Sequence, residues 1–182
     1  MSDTAENDDP LRPGTIAAAL CKTTDTGKYH WIIYLITDLC GSSGFKYHAT
    51  NQMGAAPWHY EYTRWEGLES ARCVTLTPIG RVPNRNEKSA DDLDAILREV
   101  PLEVPQVDRR MFDRFTCRTW FRAAIRKLND KRMYVRCPDV DLLEDKLTRM
   151  ATAIEMMNYH KGLSDSAPTQ IMKATDFATP WL

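Results

Sequence analysis

Cys117 is the residue of this chain whose position best suits covalent chemistry. It begins an apolar stripe with the spacing of one helix face. The stripe consists of Cys117, Phe121, Ala124 and Leu128. Asp113 and Thr116 can both cap a helix that begins near Cys117, and free backbone N–H groups at that end would favour a thiolate by roughly 0.3–1 kcal/mol. We therefore predict Cys117 as a nucleophile with a lowered thiol pKa, the alternative being a small core residue.

A thiol nucleophile needs a base, and histidine is suited to this because its pKa lies near neutrality. The chain has four histidines: His30, His48, His59 and His160. His30 begins an apolar run, and His48 lies on the strand predicted to follow, so the two rings could face each other across a hairpin. We predict that His30 is the base and that His48 orients it. The alternative is a pair of strand-end histidines that bond to backbone groups.

Arginines recur every four residues before and along the predicted Cys117 helix. They are Arg110, Arg114, Arg118, Arg122 and Arg126. Like charges at this spacing repel each other, so acidic side chains or an anionic ligand should compensate them. In the functional interpretation, Arg118 and Arg114 hold a carboxylate or phosphate of the substrate. The alternative is a solvated helix face with salt bridges.

Aromatic residues are the remaining candidates for substrate contact. Trp58 and Tyr60 belong to a predicted strand rich in aromatic residues, which could line an acyl or aromatic pocket but is more often sheet core. Trp31, beside His30, completes the predicted substrate-binding set. His59 and Glu61 share a strand face, yet nothing supplies further ligands, so we predict neither a metal site nor a cofactor.

The hydrophobic pattern changes along the chain and predicts an α+β fold. The first half favours an antiparallel meander that packs against the Cys117 helix and a C-terminal helix. The predicted strands span 15–22, 29–36, 45–50, 58–65 and 72–79, although 15–22 also fits a short helix. The predicted helices are a short one capped by Asp91 or Asp92, one from near Cys117 to about 129, and one from about 139 that ends at Gly162.

Composition sets the broad class. We predict a disordered acidic tail over 1–14, a single α+β domain over 15–162 and an irregular C-terminal tail over 163–182. A net charge of −1, from 24 basic and 25 acidic residues, argues against nucleic acid as a partner. No apolar run reaches membrane-spanning length, and the five cysteines show no Cys-x-x-Cys pair, so we expect a soluble, cytoplasmic protein with reduced thiols.

Three motifs in order along the chain resemble the lecithin:retinol acyltransferase-like branch of the permuted papain-like thiol enzymes. They are the run His30-Trp31-Ile32-Ile33-Tyr34-Leu35, the run Lys46-Tyr47-His48-Ala49, and Thr116-Cys117-Arg118-Thr119-Trp120. The resemblance covers about 29–128. It implies a permuted papain-like fold with Cys117 as nucleophile, His30 as base and His48 as the residue that orients His30.

The chain also departs from that family's pattern. Thr116 replaces an Asn before the cysteine, the turn over 37–44 is longer, and no hydrophobic C-terminal anchor follows. These departures argue against a membrane lipid as the substrate. A soluble thioester, amide or isopeptide fits the pattern equally well. A weaker similarity links the chain to small uncharacterised fungal proteins with His-Trp and Cys-x-x-Trp motifs.

The sequence therefore predicts a cysteine-dependent hydrolase or acyltransferase that forms an acyl-enzyme on a small ester, thioester or amide. Its partner would be a small-molecule or acyl substrate, without nucleic acid or an integral membrane segment. The alternative is a catalytically inactive binding or interaction domain of the same fold. The pattern does not predict an oligomeric state.

Overall fold

Long apolar strands form most of the first half of the chain. The computed structural model describes residues 11–83, 87–163, 167–173 and 176–181, which form an α+β fold with one six-stranded sheet and three α-helices. The strands are β1 (Thr15–Lys22), β2 (Tyr29–Ile36), β3 (Gly44–Thr50), β4 (His59–Trp65), β5 (Cys73–Arg81) and the two-residue β6 (Gln170–Ile171).

The strand order in the sheet is β4-β3-β2-β1-β5-β6, and only the β5–β6 pair is parallel among the described strands. The predicted meander is therefore correct for β1 to β4 and wrong for β5, which pairs with β1 instead of β4. The burial of β1 explains the difference, because its residues from Ile16 to Leu20 are all 0% exposed. An apolar strand of this kind is unsuited to a sheet edge, so it needs a partner on each side.

The helices are α1 (Glu87–Leu97), α2 (Cys117–Asp130) and α3 (Val140–His160). Local capping sets the start of α2, because the Thr116 hydroxyl accepts from the Thr119 N–H while the Thr119 hydroxyl accepts from the Thr116 N–H. Asp139 caps α3 in a similar way. Both predicted starts are confirmed, whereas α1 begins several residues before its predicted caps Asp91 and Asp92.

The sheet has two differently covered faces. On the helix face, Tyr29, Trp31, Ile33 and Leu35 of β2 pack in one core cluster with the apolar side of α2. On the outer face, the alternate residues Ile32, Tyr34 and Ile36 pack with Leu11, Cys21 and Cys73. The period-two alternation of a strand therefore divides β2 between two cores.

The chain ends are partly tied to the sheet. Leu11, which the prediction placed in a disordered tail, is buried on the outer face, and the rest of that predicted tail up to residue 10 lies outside the described residues. In the predicted irregular C-terminal segment, β6 extends the sheet and the Trp181 indole N–H donates to the Val135 carbonyl at 3.0 Å. None of the helices in the described part of the chain is long and apolar enough to cross a membrane.

Candidate thiol and histidine site

Strands β2 and β3 separate at one end of the sheet. Their ladder runs from Ile36 opposite Gly44 to Ile33 opposite Tyr47 and then stops. Both strands continue past this point, β2 back to Tyr29 and β3 on to Thr50 as the partner of β4. The two strands therefore leave a gap whose sides are the first residues of β2 and the last residues of β3.

Backbone directions show which groups line this gap. The Ile36 carbonyl accepts from the Gly14 N–H at 2.8 Å, on the β1 side of β2. Since backbone groups point to alternate sides along a strand, Tyr29 and Trp31 direct theirs toward β3, where the ladder has ended. These groups lack a strand partner and are free to contact another element.

Cys117 fills this position. Its S–H donates a weak hydrogen bond to the Tyr29 carbonyl oxygen, with Sγ and O 3.9 Å apart, and the Trp31 N–H points at the same sulfur and lowers its pKa. The sulfur therefore touches both peptide groups that flank His30. The first residue of α2 is held at the backbone of the residue predicted to be its base.

A row of polar side chains crosses β2, β3 and β4 beside this gap. His30 Nε2 and His48 Nδ1 are 2.6 Å apart, with nearly perpendicular rings. His48 Nε2 lies 3.0 Å from Glu61 Oε1, and the same oxygen lies 2.9 Å from Lys46 Nζ. The predicted histidine pair is thus in direct contact, and the row ends in an ion pair.

Both histidines are neutral at neutral pH. Burial lowers the pKa of His30 to about 3, and the charges of His48 and Lys46 act in the same direction. Burial and Lys46 lower the pKa of His48 to about 4 against the opposing effect of Glu61. Burial would raise the pKa of Glu61, but its bonds to Lys46 and His48 outweigh that effect and lower it to about 2. The row is therefore one carboxylate and two uncharged rings.

These charges determine where the protons lie. Ionised Glu61 only accepts hydrogen bonds, so His48 must donate from Nε2 and keep Nδ1 as an acceptor. His30 must then donate from Nε2 to that acceptor, which leaves the lone pair on its Nδ1. Among the described residues, no group lies within hydrogen-bonding distance of His30 Nδ1. This end of the row is an imidazole nitrogen without a hydrogen-bond partner among the described residues. The His30 ring lies on the outer face with its ladder partner Cys21, whereas the peptide groups that flank it contact Cys117, which packs on the helix face.

The state of the thiol differs from the prediction. Cys117 is 8% exposed, and burial raises its pKa even though the N–H groups of Trp31, Arg118 and Cys117 itself lower it. The prediction of a lowered pKa was wrong because it counted the helix terminus and not the desolvation of a charged sulfur. The Cys117 thiol and the His30 imidazole are therefore both uncharged at rest.

The arginine ridge is largely an internal ion network. Arg122 is 2% exposed and bonds to Asp108, Asp141 and Glu144, three acidic side chains contributed by the segment before α2 and by α3. Arg118 also pairs with Glu144, and its guanidinium lies 5.0 Å from the centre of a phenyl ring, that of Phe112. The Arg118 guanidinium is therefore engaged by α3.

Arg114 and Arg118 are both exposed, but Arg114 lies in the segment before α2. Its guanidinium has no ion pair or hydrogen bond among the described residues. Of the two arginines predicted to hold a substrate anion, only Arg114 retains an open position.

The predicted aromatic residues have separate environments. Trp31 is 2% exposed, with its ring centre 5.1 Å from that of Phe121, so it belongs to the core. The Tyr60 hydroxyl donates to Asp94 Oδ1 at 2.7 Å. Trp58 is only half-buried, and its ring stands perpendicular to that of Phe115 at 5.4 Å, two residues before the thiol. Trp58 therefore packs against the segment that leads into Cys117.

Sequence reasoning missed the role of Glu61. The pattern paired it with His59 as an incomplete metal set, whereas strand pairing puts it opposite His48. That pairing depends on the register across the 51–58 loop, which the sequence leaves open. No cluster of three metal-binding side chains occurs among the described residues. A surface groove at the other end of β4 is lined by Arg64, Trp65, Glu66, Glu69 and Ser70.

Comparison with known proteins identifies a family but not an activity. The model of a family of unknown function, DUF6540, matches residues 18–134, and the chain belongs to that family. The matched segment contains Cys117, His30, His48 and Glu61 and ends before α3. No curated protein and no solved structure matches the chain.

Proposed function

We propose that this member of the DUF6540 family is a thiol hydrolase or acyltransferase of the permuted papain-like class. The observation that carries the proposal is the position of the Cys117 sulfur, at the two peptide groups of His30. The hydrogen-bonded row of His30, His48 and Glu61 supports it, because it supplies the base, the group that orients the base and a carboxylate.

The chemistry begins from neutral partners. Alternation along β2 directs the His30 ring to the outer face, whereas Cys117 packs on the helix face, so the chemistry requires the ring to reach the thiol through the gap where the β2–β3 ladder ends. In that arrangement the sulfur attacks a carbonyl carbon while His30 Nδ1 takes the thiol proton. The imidazolium formed on His30 is stabilised through His48 by the negative charge of Glu61. The leaving group departs with the proton from His30, and water or another acceptor then attacks the thioester to release the acyl group.

The start of α2 supplies donors for the oxyanion. The backbone N–H groups of Cys117 and Arg118 precede the first intrahelical bond, in which Trp120 N–H donates to the Thr116 carbonyl. The Thr119 N–H is occupied by the Thr116 hydroxyl, so it is not available. In the resting structure the N–H groups of Cys117 and Arg118 point at the sulfur and lower its pKa, and they can turn to negative charge that develops on a carbonyl oxygen.

The substrate is a small ester, thioester or amide. Cys117 is mostly covered, and Phe115, two residues before it, packs against Trp58. A mostly covered thiol close to aromatic side chains fits a compact acyl group better than a folded protein chain.

The test uses p-nitrophenyl acetate and the full-length chain. The acetyl group should be transferred to Cys117, which intact mass and peptide mapping detect, with a burst of p-nitrophenol if deacylation is slower. Cys117→Ser should abolish the thioester. Cys137→Ser is the matched control, since Cys137 is also buried with a raised thiol pKa but bonds only to the Asp139 carbonyl, far along the chain from the histidines. Acetylation that persists at another residue in Cys117→Ser would refute the assignment.

The second candidate is a binding domain that retains this fold without catalysis. The raised thiol pKa and low exposure of Cys117 favour it. It predicts that Cys117 of the folded protein is acetylated no faster than free cysteine at any pH from 6 to 9. His30→Ala would then leave the reactivity of Cys117 unchanged, whereas the enzyme requires it to fall.

A further inference from the structure

A second pair of thiols lies on the outer face of the sheet. Cys21 of β1 and Cys73 of β5 are direct partners in the antiparallel ladder, and both are buried in the same core cluster. Both thiols are free. Interaction with the Cys73 thiol and burial raise the pKa of Cys21, which agrees with the facing positions of the two residues.

The backbone shows what kind of pair this is. The Lys22 N–H donates to the Arg72 carbonyl at 2.7 Å, on the β5 side of β1, so the preceding residue Cys21 directs its backbone groups toward β2. The Cys73 N–H agrees, because it donates to the Ser70 carbonyl within its own turn. Cys21 and Cys73 therefore form a non-hydrogen-bonded pair, in which side chains are closest and Cα atoms lie about 4.5 Å apart.

This geometry suits a disulfide. Cross-links need Cα atoms about 4.4–6.8 Å apart and side chains that point to the same side, and facing residues in an antiparallel pair meet both conditions without a backbone shift. A register irregularity lies between Leu20 and Cys21, which gives this end of the ladder some room to adjust.

The thiol pair also adjoins the histidine row. Cys21 is the direct ladder partner of His30 on its other side. Facing residues share a sheet face, so Cys73, Cys21, His30, His48 and Glu61 form a continuous line across five strands. A covalent change at Cys21 takes place immediately beside the His30 ring.

We propose that Cys21 and Cys73 form a reversible dithiol–disulfide site that reacts with small hydroperoxides. This site does not depend on catalysis by Cys117. One of the two cysteines, once deprotonated, attacks the peroxide oxygen, giving a sulfenic acid and, with the proton that left the thiol, one water. The other cysteine then attacks the sulfenic sulfur, forming the S–S bond and releasing the second water. The balance is two thiols and one hydrogen peroxide to one disulfide and two waters.

The test is peroxide treatment of the folded, full-length chain followed by denaturation, alkylation and peptide mapping without reduction. The expected result is a cross-linked peptide pair containing Cys21 and Cys73, with loss of alkylation at both and full recovery after dithiothreitol. Cys40 is exposed and serves as the internal measure of peroxide exposure. Cys137→Ser should leave the cross-link intact, whereas Cys21→Ser should abolish it.

Two results would overturn the proposal. One is continued alkylation of both Cys21 and Cys73 at peroxide doses that have fully oxidised Cys40. The other is a cross-link from either residue to a different cysteine. Oxidation should also shift the ring proton resonances of His30 more than those of exposed His160, and equal shifts would refute the contact with the histidine row. All three readings use the unaltered chain and need no activity, so they remain decisive even if Cys117 proves inert.

Discussion

Two clusters of titratable side chains in this molecule bond their polar atoms in different ways, one through ion pairs and the other through hydrogen bonds between uncharged rings. In the α2 cluster, Arg122 is surrounded by three acidic side chains, two of which it shares with Arg118 and Arg126. In the histidine row, buried His48 and half-buried His30 are uncharged and bond in single file to Glu61. One cluster pairs every charge, and the other leaves a nitrogen free.

The difference separates structural from chemical roles. A buried ion network that is fully paired holds α2 to α3 and to the segment before α2, and removal of one member leaves the others uncompensated. A row that ends in an unbonded nitrogen does not gain its full number of hydrogen bonds from the fold. The open nitrogen belongs to a half-buried ring with a lowered pKa, a combination that marks the row as a candidate functional site.

The largest expected effect is on stability, from Arg122→Ala. The substitution leaves Asp108, at 0% exposure, and Glu144, at 4%, without their shared buried cation. We expect the free energy of unfolding to fall by roughly 3–5 kcal/mol, which urea denaturation would measure. Arg149→Ala is the matched control, because its ion pair with Asp145 is exposed and should contribute only about 0–1 kcal/mol. Equal losses in the two variants would show that the buried network is not structural.

The histidine row should make stability depend on acid. In the folded chain the pKa values of His30 and His48 are lowered to about 3 and about 4, whereas the unfolded chain has the ordinary value near 6.5. The unfolded state thus binds more protons below pH 6.5, and stability falls as pH drops from there through the folded values. Each histidine contributes a slope of up to about 1.4 kcal/mol per pH unit.

Urea denaturation at several pH values checks this slope. His48→Gln should flatten it between pH 6.5 and 4, while exposed His160→Gln serves as the control. Glu61 adds to the loss only at lower pH, because its folded pKa is lowered to about 2 and its stabilisation is lost as pH falls from about 4.5. A profile that is flat from pH 6.5 to 4 in the unaltered chain would contradict neutral buried rings.

The same two clusters show what sequence could and could not predict. The start of α2 at Cys117 was predictable, because Thr116 caps it locally and the apolar period is clear. The histidine pair was predictable because its two strands form a hairpin. The raised thiol pKa, the pairing of β5 with β1 and the acidic partners of Arg122 depend on contacts between residues far apart in the chain. Local pattern carries no information about such contacts.

A smaller and more specific effect is expected from Glu61→Gln. The amide can donate to His48 Nε2, which would move the His48 proton to Nδ1 and reverse the tautomer of His30. If the proposed function holds, transfer of an acetyl group to Cys117 should lose part of the about 10²–10⁴-fold that a general base contributes. Nitrogen-15 resonances of the two rings report the tautomers directly. Glu69→Gln, at an exposed position, is the control, and unchanged tautomers in Glu61→Gln would refute the role of Glu61.

The smallest expected effect separates Arg114 from Arg118. Arg118 already pairs with Glu144, so a substrate anion would have to compete for it, whereas Arg114 is exposed before the thiol. Arg114→Ala should change the free energy of unfolding by no more than about 0.5 kcal/mol. It should raise KM for an ester that carries a carboxylate and leave KM for p-nitrophenyl acetate unchanged, because only the charged ester gains from a cation. Arg118→Ala should instead lower stability and leave both KM values similar. A rise in KM for the charged ester confined to Arg118→Ala would assign anion binding to the paired arginine and reverse the contrast between the two clusters.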